Sequence, residues 1–256
     1  MKLRPSHLIG ALSAVAVLAV VATAGHAAWR IRQSAALAGQ SEALQAAPAA
    51  PTVRLLIVGD STGVGTGASS AAHSLAGLIA HDHPRLAIVN RASDGAKFAD
   101  IARQLGGPGK FDAVLILGGG NDVIRLTGAS SLKQGIAEAA RLARAQAGLV
   151  VLMPCGNVGN APFFFAPLSW LMTRRSQALH RMARQAAADT GALYVNLYQD
   201  RADDPFAQRP SELNAPDGLH PGDAGYRLWY RELNTQAGLG RRLAALNRKA
   251  SLKSGT

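Results

Sequence analysis

The chain has 256 residues, a formal net charge of +11 and a single cysteine, and 48% of its residues are hydrophobic. This length suits one domain with appended segments, and Cys155 alone cannot form an internal disulfide. No aromatic residues are interleaved with basic ones as in nucleic-acid-binding proteins, so the charge does not indicate a nucleic-acid partner.

The first 32 residues predict an export signal or a membrane anchor. Lys2 and Arg4 precede residues 8–25, which carry no charge. The length of this stretch lies near the lower limit for a spanning helix, about 17–25 residues, and favours an anchor. Ala22-Thr23-Ala24 offers a cleavage site and favours a signal peptide. In either case we expect an exported, extracytoplasmic (for instance periplasmic) protein that is membrane-anchored or secreted.

Two further segments are predicted to lie outside the domain, which is expected to span residues 53–237. Residues 33–52 are rich in Ala, Gln, Ser and Pro and predict a linker, either flexible or, because of the alanines, helical. Residues 238–256 contain five basic side chains and no acidic one. We expect a solvated, disordered basic tail there, with attraction to anionic lipid as the alternative.

Apolar segments of the domain predict five strands that alternate with helices. The predicted strands are residues 53–58, 86–90, 113–117, 149–153 and 193–196, and the predicted helices are residues 71–81, 97–105, 132–146, 174–189 and 221–233. Continuous apolar strands that alternate with helices are typical of a parallel sheet with right-handed crossovers. The expected fold class is therefore α/β, in a three-layer α/β/α, flavodoxin-like arrangement with a five-stranded parallel sheet.

Polar residues follow these predicted elements in a pattern that suggests chemistry. Ser61 ends Gly59-Asp60-Ser61 after the first strand, Asn121 lies in Gly119-Gly120-Asn121-Asp122 after the third, and His220 closes Asp217-Gly218-Leu219-His220. The carboxyl ends of parallel strands share one edge of the sheet, so we expect these residues to meet there. A hydroxyl, an imidazole, a carboxylate and an amide donor are the groups that nucleophilic acyl transfer needs.

These segments resemble, in order, the four sequence blocks of the SGNH (or GDSL) hydrolases. The second block is matched by Asn90-Arg91-Ala92-Ser93-Asp94-Gly95. Thr62 stands where the family's nominal leucine follows the serine, at a position that varies across the family. The resemblance covers residues 53 to about 236 and implies the SGNH hydrolase fold with an esterase or lipase-like activity.

The resemblance also implies a role for each matched residue. Ser61 is expected to be the nucleophile, His220 the general base and then acid, and Asp217 the group that orients the imidazole. The backbone N–H groups of Ser61 and Gly95 and the side-chain amide of Asn121 are expected to form the oxyanion hole. Ser61 and Asp217 also have a plain alternative as helix caps, and Gly95 and Asn121 as turn residues.

An aromatic segment follows the fourth predicted strand and contains Phe163, Phe164, Phe165 and Trp170. It could bind substrate as an acyl pocket, form a lid or contact a membrane, and ordinary core packing is the alternative. Cys155, just before it, is expected to be a small buried hydrophobic residue.

The sequence therefore predicts a serine esterase acting on carboxylic esters, with lipid-like or acylated envelope compounds as candidate substrates. One alternative is an O-acyltransferase or deacetylase acting on a cell-envelope polysaccharide. Another is a flavodoxin-like module that binds phosphate at residues 61–67. No cofactor is expected, and no metal, because no Cys/His cluster has ligand spacing. A membrane is expected as a partner only through an uncleaved N-terminal segment.

Overall fold

The structure is a computed structural model that describes residues 5–107 and 109–254; for residues 5–22, 251, 253 and 254 it describes only that they lie in helices. The strands are β1 (Val53–Gly59), β2 (Leu86–Asn90), β3 (Ala113–Gly118), β4 (Leu149–Pro154) and β5 (Leu193–Tyr194). The helices are α1 (Pro5–Gln40), α2 (Ser61–Val64), α3 (Leu75–Asp82), α4 (Phe98–Gln104), α5 (Gly120–Ile124), α6 (Ala129–Gln146), α7 (Leu168–Thr190), α8 (Pro205–Gln208), α9 (Pro210–Leu213), α10 (Asp223–Glu232) and α11 (Leu239–Ser254).

All five strands are parallel and lie in the order β2-β1-β3-β4-β5. The three central strands are buried along nearly their whole length, which accounts for their continuous apolar sequences. The predicted α/β fold with a five-stranded parallel sheet is confirmed.

Several predicted boundaries differ from the observed ones for local reasons. Residues 71–81 divide into a 3-10 turn and α3, because the hydroxyl of Ser74 accepts from the N–H of Gly77 at 3.1 Å and caps a new helix. α7 begins at Leu168 rather than at residue 174, and β5 keeps only two of its four predicted residues. The short helices α2, α5, α8 and α9 were not predicted, since four or five residues show no hydrophobic period.

The register of the sheet brings the ends of β1 and β3 together. Gly59 lies opposite Leu117, and a Cβ on Gly59 would overlap the Leu117 carbonyl oxygen, so only glycine permits this close approach. The loops that start at Asp60 and Gly119 therefore leave the sheet side by side.

The predicted linker is partly helical and partly docked on the sheet. α1 extends to Gln40, and Ala46 forms an antiparallel bridge with Ile88 on the outer edge of β2. The side chain of Gln45 donates to the Asn90 carbonyl at 2.8 Å and accepts from the Asn90 N–H at 3.0 Å. A flexible coil is therefore the wrong description of this segment, because the edge of β2 offers backbone groups that it satisfies.

The C-terminal segment is a helix, and the prediction of a disordered tail is wrong. Leu239 and Leu243 of α11 are buried in the main hydrophobic core, which fixes the helix to the domain. Just before α11, the side chain of Gln236 accepts from the Asn196 N–H at 2.7 Å and donates to the Asn196 carbonyl at 3.0 Å. The many basic residues of this segment are the reason why the sequence did not predict a buried apolar face.

The predicted apolar segment at residues 8–25 falls mostly on residues whose side chains lie outside the described part of the chain. Within the described part, no helix is both long and apolar enough to cross a membrane.

Candidate active site

Ser61 is held at the start of α2 by the residues on either side of it. Asp60 caps this helix: one carboxylate oxygen accepts from the Thr62 N–H at 2.9 Å and from the Thr62 hydroxyl at 2.7 Å. Burial raises the pKa of Asp60 above its usual value. The capping role thus belongs to Asp60, and the Ser61 hydroxyl is left to bond elsewhere.

The segment from Asp217 to His220 forms a tight turn that brings its two ionisable groups together. One Asp217 oxygen accepts from the backbone N–H groups of Leu219 at 3.0 Å and His220 at 3.1 Å. Gly218 supplies the left-handed backbone that this turn requires, with φ of 67°. The other Asp217 oxygen lies 2.6 Å from Nδ1 of His220, so a spacing of three residues suffices for the contact.

The imidazole of His220 connects this turn to Ser61. Its Nε2 lies 2.9 Å from the Ser61 hydroxyl oxygen. Because a carboxylate facing Nδ1 favours the tautomer protonated there, Nε2 is free to accept the Ser61 proton. The structure therefore brings together the three residues for which the sequence predicted catalytic roles.

The Asp217 carboxylate is fully buried yet ionised. Burial by itself would raise the pKa of Asp217, but hydrogen bonding to His220 and the charge of His220 outweigh it. With the Leu219 N–H and the Ser34 hydroxyl as further donors, the pKa falls to about 2. A carboxylate in this state can stabilise an imidazolium at neutral pH.

Three hydrogen-bond donors border the space beside the Ser61 hydroxyl. Within the described part of the chain, the backbone N–H groups of Ser61 and Gly95 donate to no protein acceptor. Asn121 donates one amide hydrogen to the Ala96 carbonyl at 3.2 Å, which leaves the other for a ligand. These are the donors expected for an oxyanion hole.

The cavity at this edge of the sheet has a volume of about 540 Å³. Ser61, Gly95, Asn121 and His220 lie in its wall. The apolar part of the wall includes Ile31, Ile124, Val158, Ala161, Phe163, Leu197, Phe206, Leu219, Leu228 and Trp229, and polar or charged residues such as Asp94, Arg125, Asn157, Gln199, Asp204 and Glu232 also line it. Such a pocket suits an apolar ligand oriented by a few polar groups.

The loop at residues 61–67 does not have the features of a phosphate site. The N–H groups of residues 63–66 already donate to the carbonyls of Asp60 and Ser61. A phosphate loop needs such groups to be free, so the flavodoxin-like alternative loses its physical basis. Among the described residues, no group of three His, Cys, Asp or Glu side chains could hold a metal ion.

Comparison with known proteins identifies the family of the chain. The family model for GDSL-like lipases and acylhydrolases matches residues 57–228. The chain belongs to this family. The "GDSL-like esterase Rv1075c" of Mycobacterium tuberculosis (strain ATCC 25618 / H37Rv) is 30% identical over 186 residues, which cover 69% of this chain and 59% of that protein. The chain therefore matches well under two thirds of the length of this relative.

Solved structures resemble the GDSL-family domain in fold. An α/β hydrolase from the metagenome of Lake Arreo, Spain, has a TM-score of 0.56 at 23% identity, covering 74% of this chain and 96% of that one. A putative SGNH hydrolase from Slackia heliotrinireducens has a TM-score of 0.52 at 23% identity, covering 72% of this chain and 98% of that one. These similarities support the SGNH hydrolase fold.

The aromatic segment of this GDSL-family protein contributes less to the cavity than predicted. Phe163 lies in the cavity wall, and its N–H donates to the Gly218 carbonyl at 3.0 Å. Phe164 packs against the core, whereas Phe165 and Trp170 are 51% and 67% exposed and lie outside the described lining. Phe164 and Phe165 precede α7 and Trp170 lies within it, and Phe163 is the one aromatic residue of this segment in the described lining.

Sequence reasoning missed the contribution of α1. Ser34 donates to Asp217 at 2.7 Å, and Arg30 donates to the Pro216 carbonyl, also at 2.7 Å. Ile31, Ala35 and Ala38 lie in the cavity wall. Isolated serine and alanine residues in an Ala-rich segment carry no signal of such contacts.

Cys155, in the cavity wall, and His180 are both buried and are hydrogen-bonded to each other. Nε2 of His180 donates to the Cys155 carbonyl at 2.7 Å, and Nδ1 lies 2.6 Å from the Tyr194 hydroxyl. Burial lowers the pKa of His180 to about 4, so the ring is neutral. Burial also raises the pKa of the Cys155 thiol, which agrees with the predicted structural role.

We expect the domain to lose stability as the pH falls from about 6.5 to about 4. Over this range the unfolded His180 takes up a proton while the folded ring stays neutral, at a cost of about 3 kcal/mol. Urea unfolding at several pH values measures this loss. His180→Gln supplies an amide N–H in place of the ring N–H and does not titrate, so the free energy of unfolding of this variant should change less over the same range. An identical pH dependence in the variant and the wild type would contradict the assignment of the stability loss to His180.

Proposed function

We propose that this chain is a serine esterase that hydrolyses carboxylic esters through a covalent acyl-enzyme. The observation that supports it is the hydrogen-bonded series from Ser61 to His220 to the ionised Asp217, with Ser61 and His220 in the cavity wall. Membership of the GDSL-like lipase/acylhydrolase family supports the same reaction class.

In the first half of the proposed reaction, the Ser61 oxygen attacks the ester carbonyl carbon and its proton passes to Nε2 of His220. The carbonyl oxygen becomes an oxyanion and accepts hydrogen bonds from the Ser61 and Gly95 N–H groups and the Asn121 amide. When the carbon–oxygen bond to the alcohol breaks, His220 returns its proton to the leaving oxygen. The acyl group remains on Ser61.

In the second half, water attacks the acyl-enzyme carbonyl and His220 takes the proton of that water. The bond to Ser61 then breaks, Ser61 recovers its proton, and the carboxylic acid leaves. Asp217 stays ionised throughout and stabilises the imidazolium in each half.

The volume and lining of the cavity support substrates whose acyl group is apolar and larger than acetyl. A series of p-nitrophenyl esters from acetyl to palmitoyl tests this, with the highest kcat/KM expected beyond acetyl. Hydrolysis confined to the acetyl ester would contradict the substrate class. Transfer of acetate to a sugar without net hydrolysis would indicate the acyltransferase alternative.

We also propose that residues 1–32 export the domain. Lys2, Arg4 and the uncharged residues 8–25 support this, and whether the segment stays as an anchor is part of the proposal. Cell fractionation with N-terminal sequencing of the recovered protein tests both points.

Replacing Asn121 by alanine should lower kcat by about 10²- to 10³-fold with little change in KM, because the lost donor acts on the oxyanion rather than on the bound ester. Steady-state kinetics with the preferred p-nitrophenyl ester measures this. Asn121→Asp, which keeps the shape but replaces the donor by a negative charge, should be at least as slow. A kcat within three-fold of wild type for Asn121→Ala would exclude the amide from the oxyanion hole.

A further inference from the structure

α1 lies against the catalytic turn, although it precedes the first strand of the domain. The Ser34 hydroxyl donates to Oδ2 of Asp217 at 2.7 Å, the same oxygen that faces Nδ1 of His220 at 2.6 Å. One turn earlier, Arg30 donates to the Pro216 carbonyl at 2.7 Å. Two side chains of one helix thus bond to this turn, one to the Asp217 carboxylate and one to the carbonyl of the residue before it.

Ser34 differs from the other donors to Asp217 in where it comes from. The Leu219 and His220 N–H groups and the His220 ring belong to the same four-residue turn as the carboxylate. Ser34 is 183 residues away in sequence and, within the described chain, is the donor to this carboxylate from outside the turn. Its bond ties Oδ2 of Asp217 directly to α1, whereas the bonds within the turn do not connect the carboxylate to any other element.

The neighbouring side chains of α1 face the cavity. Ile31, Ala35 and Ala38 follow one another by four and three residues, so they share one face of the helix. The two alanines leave room beside the apolar lining, and a larger side chain at either position would reduce that room. Ile31, Ala35 and the adjacent Ala36 are all exposed on the helix surface, but Ala36 is not part of the cavity lining.

Resting on the esterase function proposed above, we propose that the C-terminal part of α1, residues 30–38, is a part of the active site. Ser34 is a positioning residue for Asp217, and the face formed by Ile31, Ala35 and Ala38 is the wall of the acyl pocket that limits acyl-chain length.

The positioning role is tested with Ser34→Ala in the full chain. We expect kcat to fall about ten-fold with unchanged KM, because Asp217 does not touch the substrate. Ser34→Thr, which keeps a hydroxyl, should restore kcat. Ser41→Ala removes the hydroxyl that bonds to the Leu37 carbonyl near the end of α1 and should have no effect. A kcat for Ser34→Ala within two-fold of wild type, with an unchanged thermal midpoint, would overturn the role of Ser34.

The wall is tested by comparing Ala35→Leu with Ala36→Leu on p-nitrophenyl esters of increasing chain length. Ala35→Leu should lower the ratio of long-chain to acetyl kcat/KM about ten-fold, whereas Ala36→Leu should keep the wild-type ratio. Identical profiles for the two variants would overturn the role of the wall.

A third variant separates this inference from the function on which it rests. Full activity of Ser61→Ala would overturn the esterase proposal and the inference with it. An inactive Ser61→Ala, together with wild-type kinetics for Ser34→Ala and Ala35→Leu, would overturn the inference alone.

Discussion

Ser61→Ala should lower kcat/KM for p-nitrophenyl esters by at least about 10⁴-fold while the protein still folds. The variant lacks the oxygen that forms the acyl-enzyme in the proposed mechanism, and the cavity and the remaining donors are expected to stay in place. The side-chain bond that it loses is the one to His220 at 2.9 Å. Steady-state kinetics and the thermal unfolding midpoint, measured on the same preparation, give both quantities.

The chain offers a matched control for this experiment. On the surface, the Ser69 hydroxyl lies 2.8 Å from Nδ1 of His73 and 2.7 Å from an Asp223 oxygen. There the Asp223 carboxylate accepts from the Ser69 hydroxyl and the Ser69 N–H, so the serine proton is bonded to the carboxylate and the imidazole does not activate a nucleophile. Ser69→Ala should keep wild-type kcat/KM. Activity above one tenth of wild type in Ser61→Ala would remove Ser61 as the nucleophile.

Asp217→Asn should lower kcat about 10⁴-fold with KM nearly unchanged. An asparagine amide can donate to Nδ1 of His220, which places the ring proton on Nε2, where it faces Ser61. The ring is then unable to accept the serine proton, and the charge that stabilises the imidazolium is also lost. Kinetics at neutral pH, where the carboxylate with its pKa of about 2 is ionised, measure the effect.

The corresponding control replaces Asp223, the carboxylate of the surface group formed with Ser69 and His73. Asp223→Asn removes a similar charge near a serine and a histidine, yet it should leave kcat within two-fold of wild type. If Asp217→Asn loses less than ten-fold, the carboxylate only stabilises the turn.

The sequence predicts the part of the site that depends on local geometry. Asp217 and His220 meet because a glycine turn joins residues three apart. Ser61 and Asn121 follow strands whose parallel pairing brings their carboxyl ends together. Each of these relations follows from one short segment or from the rule that governs parallel sheets.

Contacts that depend on distant packing could not be predicted in this way. The Ala-rich sequence around Ser34 does not predict a contact with the domain. Ser34 reaches Asp217 because α1 packs against the turn that carries this carboxylate. The apolar face of α11 was concealed by its arginines and lysines, although Leu239 and Leu243 are buried. Phe163, Phe164 and Phe165 are adjacent and chemically alike, so their different environments follow from backbone direction alone.

The side chains of Gln45 and Gln236 affect whether the outer strands of the sheet can pair with strands of another molecule. Gln45 occupies both backbone groups of Asn90 at the end of β2, and Gln236 occupies both backbone groups of Asn196, two residues beyond the end of β5, in the manner of an added strand. A neighbouring molecule that approached either border would have to displace these amides before its own main chain could pair. The side chains thus act as stops against sheet growth between molecules, the route by which open β-structures aggregate.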